Sequence, residues 1–154
     1  MIHLHYTQIV LPPPRAEARR AEHLAGRKLL CDVLGCAQED IQVAPNGKPY
    51  LPCGPWFSVS HSNGLILLAV SEDGEVGCDV EWEGREIRNP ETIRRKIALP
   101  GEDDEPLPRL WVRKEAVYKS GLGEGAKVYY PEMPEGYVAA LCCLGENYAD
   151  PIRH

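Results

Sequence analysis

The chain has one phenylalanine and two methionines in 154 residues, and aromatic residues make up only 7% of it. No stretch approaches the roughly 20 consecutive apolar residues that a membrane span needs, so no spanning helix is expected. Basic residues are also in deficit: 17 Lys and Arg stand against 23 Asp and Glu, a formal net charge of −6. That balance excludes the usual nucleic-acid binder, whose affinity comes from neutralising phosphates. It leaves room for a small phosphorylated ligand, because local charge can oppose the net charge. The opening residues, MIHLHYTQIVLPPP, lack the basic start and apolar run of a secretory signal, so the expectation is a cytoplasmic protein. In that compartment the six cysteines stay reduced. They form no C-x-x-C pair, so no zinc site is expected, and they read as small apolar packing residues.

What is present is long enough to bury one core, and no repeat or low-complexity tract interrupts it. The residue pattern predicts a strand over 3–10, ended by Pro12–Pro14. A helix over 15–34 follows, with Leu24, Leu29, Leu30, Val33 and Leu34 as its apolar stripe and Gly35 as its stop. A short strand over 41–43 precedes a turn, Pro45-Asn46-Gly47-Lys48-Pro49. Strands over 56–60 and 65–71 are joined by His61-Ser62-Asn63-Gly64 as a hairpin turn, and a strand over 75–82 is expected beside them in the sheet. The polar segment 84–108 is expected to hold one short helix. A second strong helix spans 107–122, strands follow over 128–130 and 137–144, and the tail from Glu146 reads as frayed.

The third strand of the hairpin region contains GCDVEW, with Asp79 and Glu81 two residues apart. Side chains at i and i+2 of a strand share a face, so two carboxylates lie side by side. Their repulsion is relieved by a cation or a shared proton, and hard oxygen donors of this kind suit Mg²⁺ or Mn²⁺. In the second strong helix the stripe Leu107, Trp111, Tyr118 and Leu122 is expected to face the core. Glu115 falls within that stripe, and Lys119 follows it at i+4. If the helix packs on the strand, three carboxylates and a lysine surround one cation, an arrangement suited to phosphoryl chemistry. On spacing alone a plainer reading stays open: Asp79 and Glu81 on the wet face of an edge strand, and Glu115 with Lys119 as a surface pair.

The order of the motifs adds to this. NGKPYLP, FSVSHSNG, VGCDVEW and WVRKEAVYKSGLG occur in succession from Asn46 to Gly123. The succession resembles the 4′-phosphopantetheinyl transferases, with a GKP turn, an SHS strand end, a G-x-D-x-E strand and a W-x-x-KE-x-x-x-K helix. The SHS element and GKP turn are similar to those of the surfactin-synthetase-activating type rather than the shorter trimeric synthases.

The resemblance implies an enzyme that moves the 4′-phosphopantetheine of coenzyme A onto a serine of an acyl or peptidyl carrier protein and releases 3′,5′-ADP. It implies Mg²⁺ held by Asp79, Glu81 and Glu115, with Glu115 also the base for the carrier serine. Lys119 is implied at the diphosphate, and Lys48, Ser60, His61 and Asp79 at coenzyme A. Arg15, Arg19, Arg20 and Arg27 are available for the 3′-phosphate, with Arg19 and Arg20 the candidates; a solvated helix face is the reading slightly favoured for both. Taken alone, Lys48 is a solvated turn lysine and His61 a turn histidine satisfied by backbone; beside the other motifs both read as ligand contacts. Trp111, Trp56 and Tyr50 are read as packing residues.

The implied fold is α+β. Two similar small lobes, about 1–74 and 75–154, are related by a pseudo-twofold that replaces a homodimeric interface, so a monomer is expected. The chain departs from larger members in a compressed stretch between Glu81 and Glu115, in Ala98-Leu99-Pro100-Gly101 at a helix start that usually carries phenylalanine, and in an abbreviated part after Lys119. The basic runs Arg94-Arg95-Lys96 and Arg109, Arg113, Lys114 are the candidates for meeting an acidic carrier. Three competing readings make distinct predictions. A non-catalytic coenzyme A or carrier binder shows no turnover. A metal-dependent phosphohydrolase releases 3′,5′-ADP without a carrier. A structural domain shows no Mg²⁺ dependence.

Overall fold

The computed structural model describes residues 1–123, 125–145 and 147–154, and it is a mixed α+β fold built on two larger sheets. The first holds β4 (Trp56–Ser62), β5 (Leu65–Ser71), β1 (Ile2–Gln8) and β9 (Ile152–Arg153), in that order. The second holds β6 (Val76–Trp82), β8 (Tyr137–Cys143) and β7 (Lys127–Tyr129), and β2 (Gln42–Val43) pairs separately with β3 (Pro49–Tyr50). Helix α1 (Arg15–Leu34) covers the first sheet, α3 (Leu107–Ser120) covers the second, and α2 (Pro90–Ile97) packs against α3. Among the described residues no helix is long and apolar enough to cross a membrane.

The central strand β5 is buried at every position, as its unbroken LILLAVS run requires. One face supplies Leu65, Leu67 and Ala69 to a core shared with Val76, Cys78 and Val80 of β6 and Leu141 of β8. The other face supplies Ile66, Leu68 and Val70 to Leu29 and Leu30 of α1. The hairpin β4–β5 closes on the two residues Asn63 and Gly64, whose φ angles of 44° and 84° are both left-handed, the geometry of a tight twisted turn. His61 and Ser62 therefore belong to the strand, not to the turn that the sequence suggested.

The two sheets meet along an unusual seam. Strand β6 is not a neighbour of β5 in one sheet, as sequence adjacency suggested, but edges a separate sheet with β8 and lies against β4 of the first. Ser58, Ser60 and Ser62, every second residue of β4, turn their hydroxyls to it. They accept the backbone N–H groups of Cys78 at 3.0 Å, Val80 at 3.2 Å and Trp82 at 2.9 Å. A side-chain hydroxyl thus replaces the partner-strand carbonyl at each step, satisfying donors that would otherwise be buried unpaired.

Other differences from expectation have local causes. Helix α3 stops at Ser120 because Gly121 turns left-handed at φ 64°. Its buried face is Leu107, Leu110, Val112, Arg113, Ala116 and Ser120; of the expected stripe only Leu107 is buried, Trp111 and Leu122 are half-buried, and Tyr118 is 72% exposed. Small residues, not the aromatic ones, let the helix approach the sheet. Leu24 of the expected α1 stripe is likewise exposed. The tail is not frayed over 147–154: Tyr148 bridges Ile2 and β9 pairs in parallel with β1, while Glu146 lies outside the described residues. The basic runs are largely spent internally. Arg113 pairs with Glu102 at 2.8 Å, Arg109 pairs with Glu105 at 3.1 Å and covers the Tyr130 ring, and Arg94 donates to the Glu105 carbonyl at 2.6 Å. All six cysteines are free thiols; Cys78, Cys142 and Cys143 are buried, Cys53 is exposed, and burial pushes Cys78 up to about 11.

Candidate active site

Strand β6 runs down the seam with Asp79 and Glu81 on the face turned to β4, and the hydroxyl ladder fixes both. Ser60 Oγ donates to Asp79 Oδ1 at 2.9 Å and Ser62 Oγ donates to Glu81 Oε1 at 2.8 Å. Each serine accepts a backbone N–H of β6 while donating to a carboxylate of the same strand. The carboxylate positions are therefore set by the hydroxyl seam between β4 and β6.

Helix α3 crosses the same face. Gly77 makes this possible: a Cβ there would lie 2.1 Å from the Ala116 carbonyl oxygen and 2.4 Å from the Ser120 nitrogen. The close approach brings Lys119 Nζ to 3.1 Å from Asp79 Oδ1 and 3.4 Å from the Val59 carbonyl. Glu115, one turn earlier and half-buried, meets Lys114 at 3.4 Å. Burial holds the Asp79 carboxyl above its ordinary range; Lys119 and the Ser60 hydroxyl pull it back down, and the negative charge of Glu115 adds to the rise. A buried carboxylate facing a lysine and a second carboxylate is a typical signature of a functional site.

Glu115, Lys119 and Tyr118 line a cavity of about 270 Å³ with Lys48 and Asn46 of the GKP turn. Lys48 is half-buried and donates to Glu75 Oε2 at 3.0 Å and to the Val76 carbonyl at 2.9 Å, pinning the turn to the start of β6. A second cavity of about 230 Å³ adjoins it, with Gly47, Pro49 and Val59 common to both, and is lined by Glu22, His23, Arg27 and His61. Ser60 is buried, and its hydroxyl proton is committed to Asp79 within the seam while its oxygen accepts the Val80 N–H. Arg19 and Arg20 are exposed on α1 and do not line this cavity; Arg27, further along the helix, does.

The donor set is right for a hard divalent cation, since Asp79, Glu81 and Glu115 offer only oxygens. Their present partners differ. Glu81 is buried and both its oxygens are engaged, one by Ser62 and one by Arg85 Nη1 at 2.9 Å. The bonds at Asp79 are both to Oδ1, which leaves Oδ2 open. Among the described residues no three of His, Cys, Asp and Glu converge as a metal cluster. Sequence reasoning missed Ser62, Glu22 and Arg85. The alternation Ser-Val-Ser-His-Ser and the i+4 spacing of Glu81 and Arg85 were the available signals; Glu22, in the middle of a long helix, offered none.

No family model matches the chain. The 4′-phosphopantetheinyl transferase AcpT of Salmonella typhimurium is 35% identical over 142 residues, covering 82% of this chain and 72% of that protein. The AcpT of Escherichia coli is 35% identical over 135 residues, 77% and 69% of the two chains. The 4′-phosphopantetheinyl transferase gsp of Aneurinibacillus migulanus is 26% identical over 154 residues, 77% and 65%.

Proposed function

The chain belongs to the 4′-phosphopantetheinyl transferases, and from that premise we propose that it transfers the 4′-phosphopantetheine of coenzyme A to a serine hydroxyl of an acyl or peptidyl carrier protein, releasing 3′,5′-ADP. The observation that carries the site assignment is the junction of α3 with β6: Lys119 on Asp79 at 3.1 Å, beside Glu115, at the edge of an open cavity.

In this reading the diphosphate of coenzyme A lies in the cavity lined by Glu115 and Lys119. Glu115 takes the proton of the carrier serine as its oxygen attacks the phosphorus that bears pantetheine. The bond from that phosphorus to the ADP oxygen breaks, and Lys119 meets the negative charge that develops on the leaving group. Asp79, Glu81 and Glu115 would hold Mg²⁺ or Mn²⁺, which supplies charge neutralisation at the diphosphate; Asp79 and Glu115 have the open oxygens. Lys48 orders the GKP turn against β6 and so shapes the wall of the cavity. The 3′-phosphate is met by Arg27, His23 and His61 rather than by Arg19 and Arg20. Two lobes, about 1–74 and 75–154, each put one long helix on a sheet of mainly antiparallel strands, with β9 crossing back to pair in parallel with β1; this supports a pseudo-twofold arrangement, and a monomeric enzyme is expected with it.

The test is mass spectrometry of an apo carrier protein incubated with the enzyme, coenzyme A and Mg²⁺. The expected result is a gain of about 340 Da, one phosphopantetheine added covalently. It is lost with EDTA and with Ser→Ala at the acceptor. Release of 3′,5′-ADP without a carrier would instead make the protein a hydrolase, and no gain on fatty-acid, polyketide or peptide carriers would overturn the reading.

A further inference from the structure

Glu22 is a buried acid that the chemistry above does not use. It sits midway along α1, 6% exposed, on the same face as Gly26, Leu29 and Leu30. A carboxylate in such a place is costly unless compensated. Its compensation is specific: one oxygen, Oε2, accepts the backbone N–H of Gly64 at 3.2 Å and pairs with His61 Nδ1 at 3.3 Å. The first contact ties α1 to the β4–β5 turn. The second takes one of the two ring nitrogens of His61, whose side chain is 41% exposed.

A carboxylate beside Nδ1 favours the tautomer that carries its proton there and turns that edge of the ring toward α1. Nε2 is then the nitrogen left for a ligand, and in the imidazolium it is a donor. The remaining ionisable groups of the cavity are His23 and Arg27, both basic. Among the described residues the only acid on its wall is therefore the one paired to the histidine, so an anion at Nε2 meets basic groups and no unpaired carboxylate.

We propose that Glu22 is a positioning residue for phosphate recognition: it holds the His61 ring in the orientation that presents Nε2 to the 3′-phosphate of coenzyme A. The inference rests on the coenzyme A reading above, and it assigns to a buried helix residue the control of a contact that it does not itself make.

The test uses Glu22→Gln in the full chain, a substitution that keeps an oxygen acceptor for Gly64 while removing the charge. KM and kcat are measured with coenzyme A and with 3′-dephospho-coenzyme A. The expected result is a rise of about tenfold in KM for coenzyme A, the size of one charge-assisted contact at about 1.4 kcal/mol. The kcat changes less than about twofold, and KM for the dephosphorylated substrate is unaltered. Equal rises for both substrates, or none, would overturn the proposal. Two further measurements separate positioning from a structural role. In a His61→Asn background Glu22→Gln should add nothing to KM, and an undiminished effect there counts against the proposal. The nitrogen-15 shifts of the His61 ring should report a proton held on Nδ1 in the wild type and its redistribution in Glu22→Gln; identical spectra also count against it. If the wild type neither binds coenzyme A nor modifies a carrier, it is the functional reading that fails; if it does both and the KM ratio is unmoved, only this inference fails.

Discussion

Helix α1 meets its sheet through Leu29 and Leu30, set among Phe57, Ile66, Leu68 and Val70, whereas α3 meets its sheet through Val112 and Ala116 against Ala140, Cys142 and Gly77. Side-chain size at the contact sets how near two elements come. Large residues hold α1 off and leave the cavity of about 230 Å³ between it and β4. Small residues draw α3 down until Lys119 reaches a buried carboxylate across the seam. One interface makes room for a ligand; the other makes distances short enough for chemistry.

The largest effect is expected where the tight interface delivers its charge. Glu115→Gln keeps the volume and the fold but removes the proton acceptor, so turnover on a carrier falls by about 10²–10⁴-fold while coenzyme A binding persists. Parallel calorimetry and rate measurements decide this, and a variant of wild-type activity would remove Glu115 from the role of base. Next comes the contact itself. In Gly77→Ala the new methyl meets backbone atoms that cannot rotate away, at 2.1 and 2.4 Å. The helix must shift, at a cost at the upper end of the about 1–3 kcal/mol typical of overpacking, and Lys119 withdraws from Asp79. Urea unfolding should show the loss, and turnover should fall with it; a neutral substitution would mean that α3 is not held closely at all.

The sequence shows the two helices, both hairpin strands and the pair Asp79 and Glu81 within a residue or two of their final positions, because periodicity and glycine stops are local signals. It does not show which face of α3 is buried. Trp111 and Tyr118 outrank alanine in hydrophobicity, yet Ala116 and Ser120 face the sheet because only small residues allow the approach that Gly77 permits. The seam is equally hidden. Serine at every second position of β4 reads as a polar strand face until β6 is seen beside it, when the hydroxyls prove to be its ladder. Glu22 has its partners 39 and 42 residues away, at His61 and Gly64, and no spacing rule reaches that far.

The seam itself can be cut between the two interfaces. Ser62→Ala removes the acceptor of the Trp82 N–H and the donor to Glu81, an expected loss of about 1–2 kcal/mol. Ser62→Thr, which keeps the hydroxyl, should recover most of it in the same denaturation assay. Asp79 behaves in the opposite sense. Burial raises its carboxyl above the 3.8 of the free side chain, so the folded state binds the proton more tightly than the unfolded one. Stability from this group is therefore full at low pH and is lost as pH rises through the raised folded value. Asp79→Asn should flatten that slope and raise the melting temperature at neutral pH while activity is lost. A melting temperature lowered equally at pH 4 and pH 7 would show instead that Lys119 and Ser60 outweigh the burial.

The smallest effect tests the roomy side with the same chemical change as the largest structural one. A methyl added at Gly26 of α1 would lie 3.6 Å from Val59 Cγ1 and 3.9 Å from Ile66 Cγ2, ordinary van der Waals contact. Gly26→Ala also restricts the unfolded chain in a helix interior, so it should stabilise by about 0.5–1 kcal/mol, opposite in sign to Gly77→Ala. The methyl enters the wall of the cavity that holds Arg27 and His61, so the gain in stability should be accompanied by a modest rise in KM for coenzyme A and an unchanged kcat. A loss of stability comparable to that of Gly77→Ala would mean that α1 is packed as closely as α3, and the division between a ligand-holding and a reacting interface would not stand.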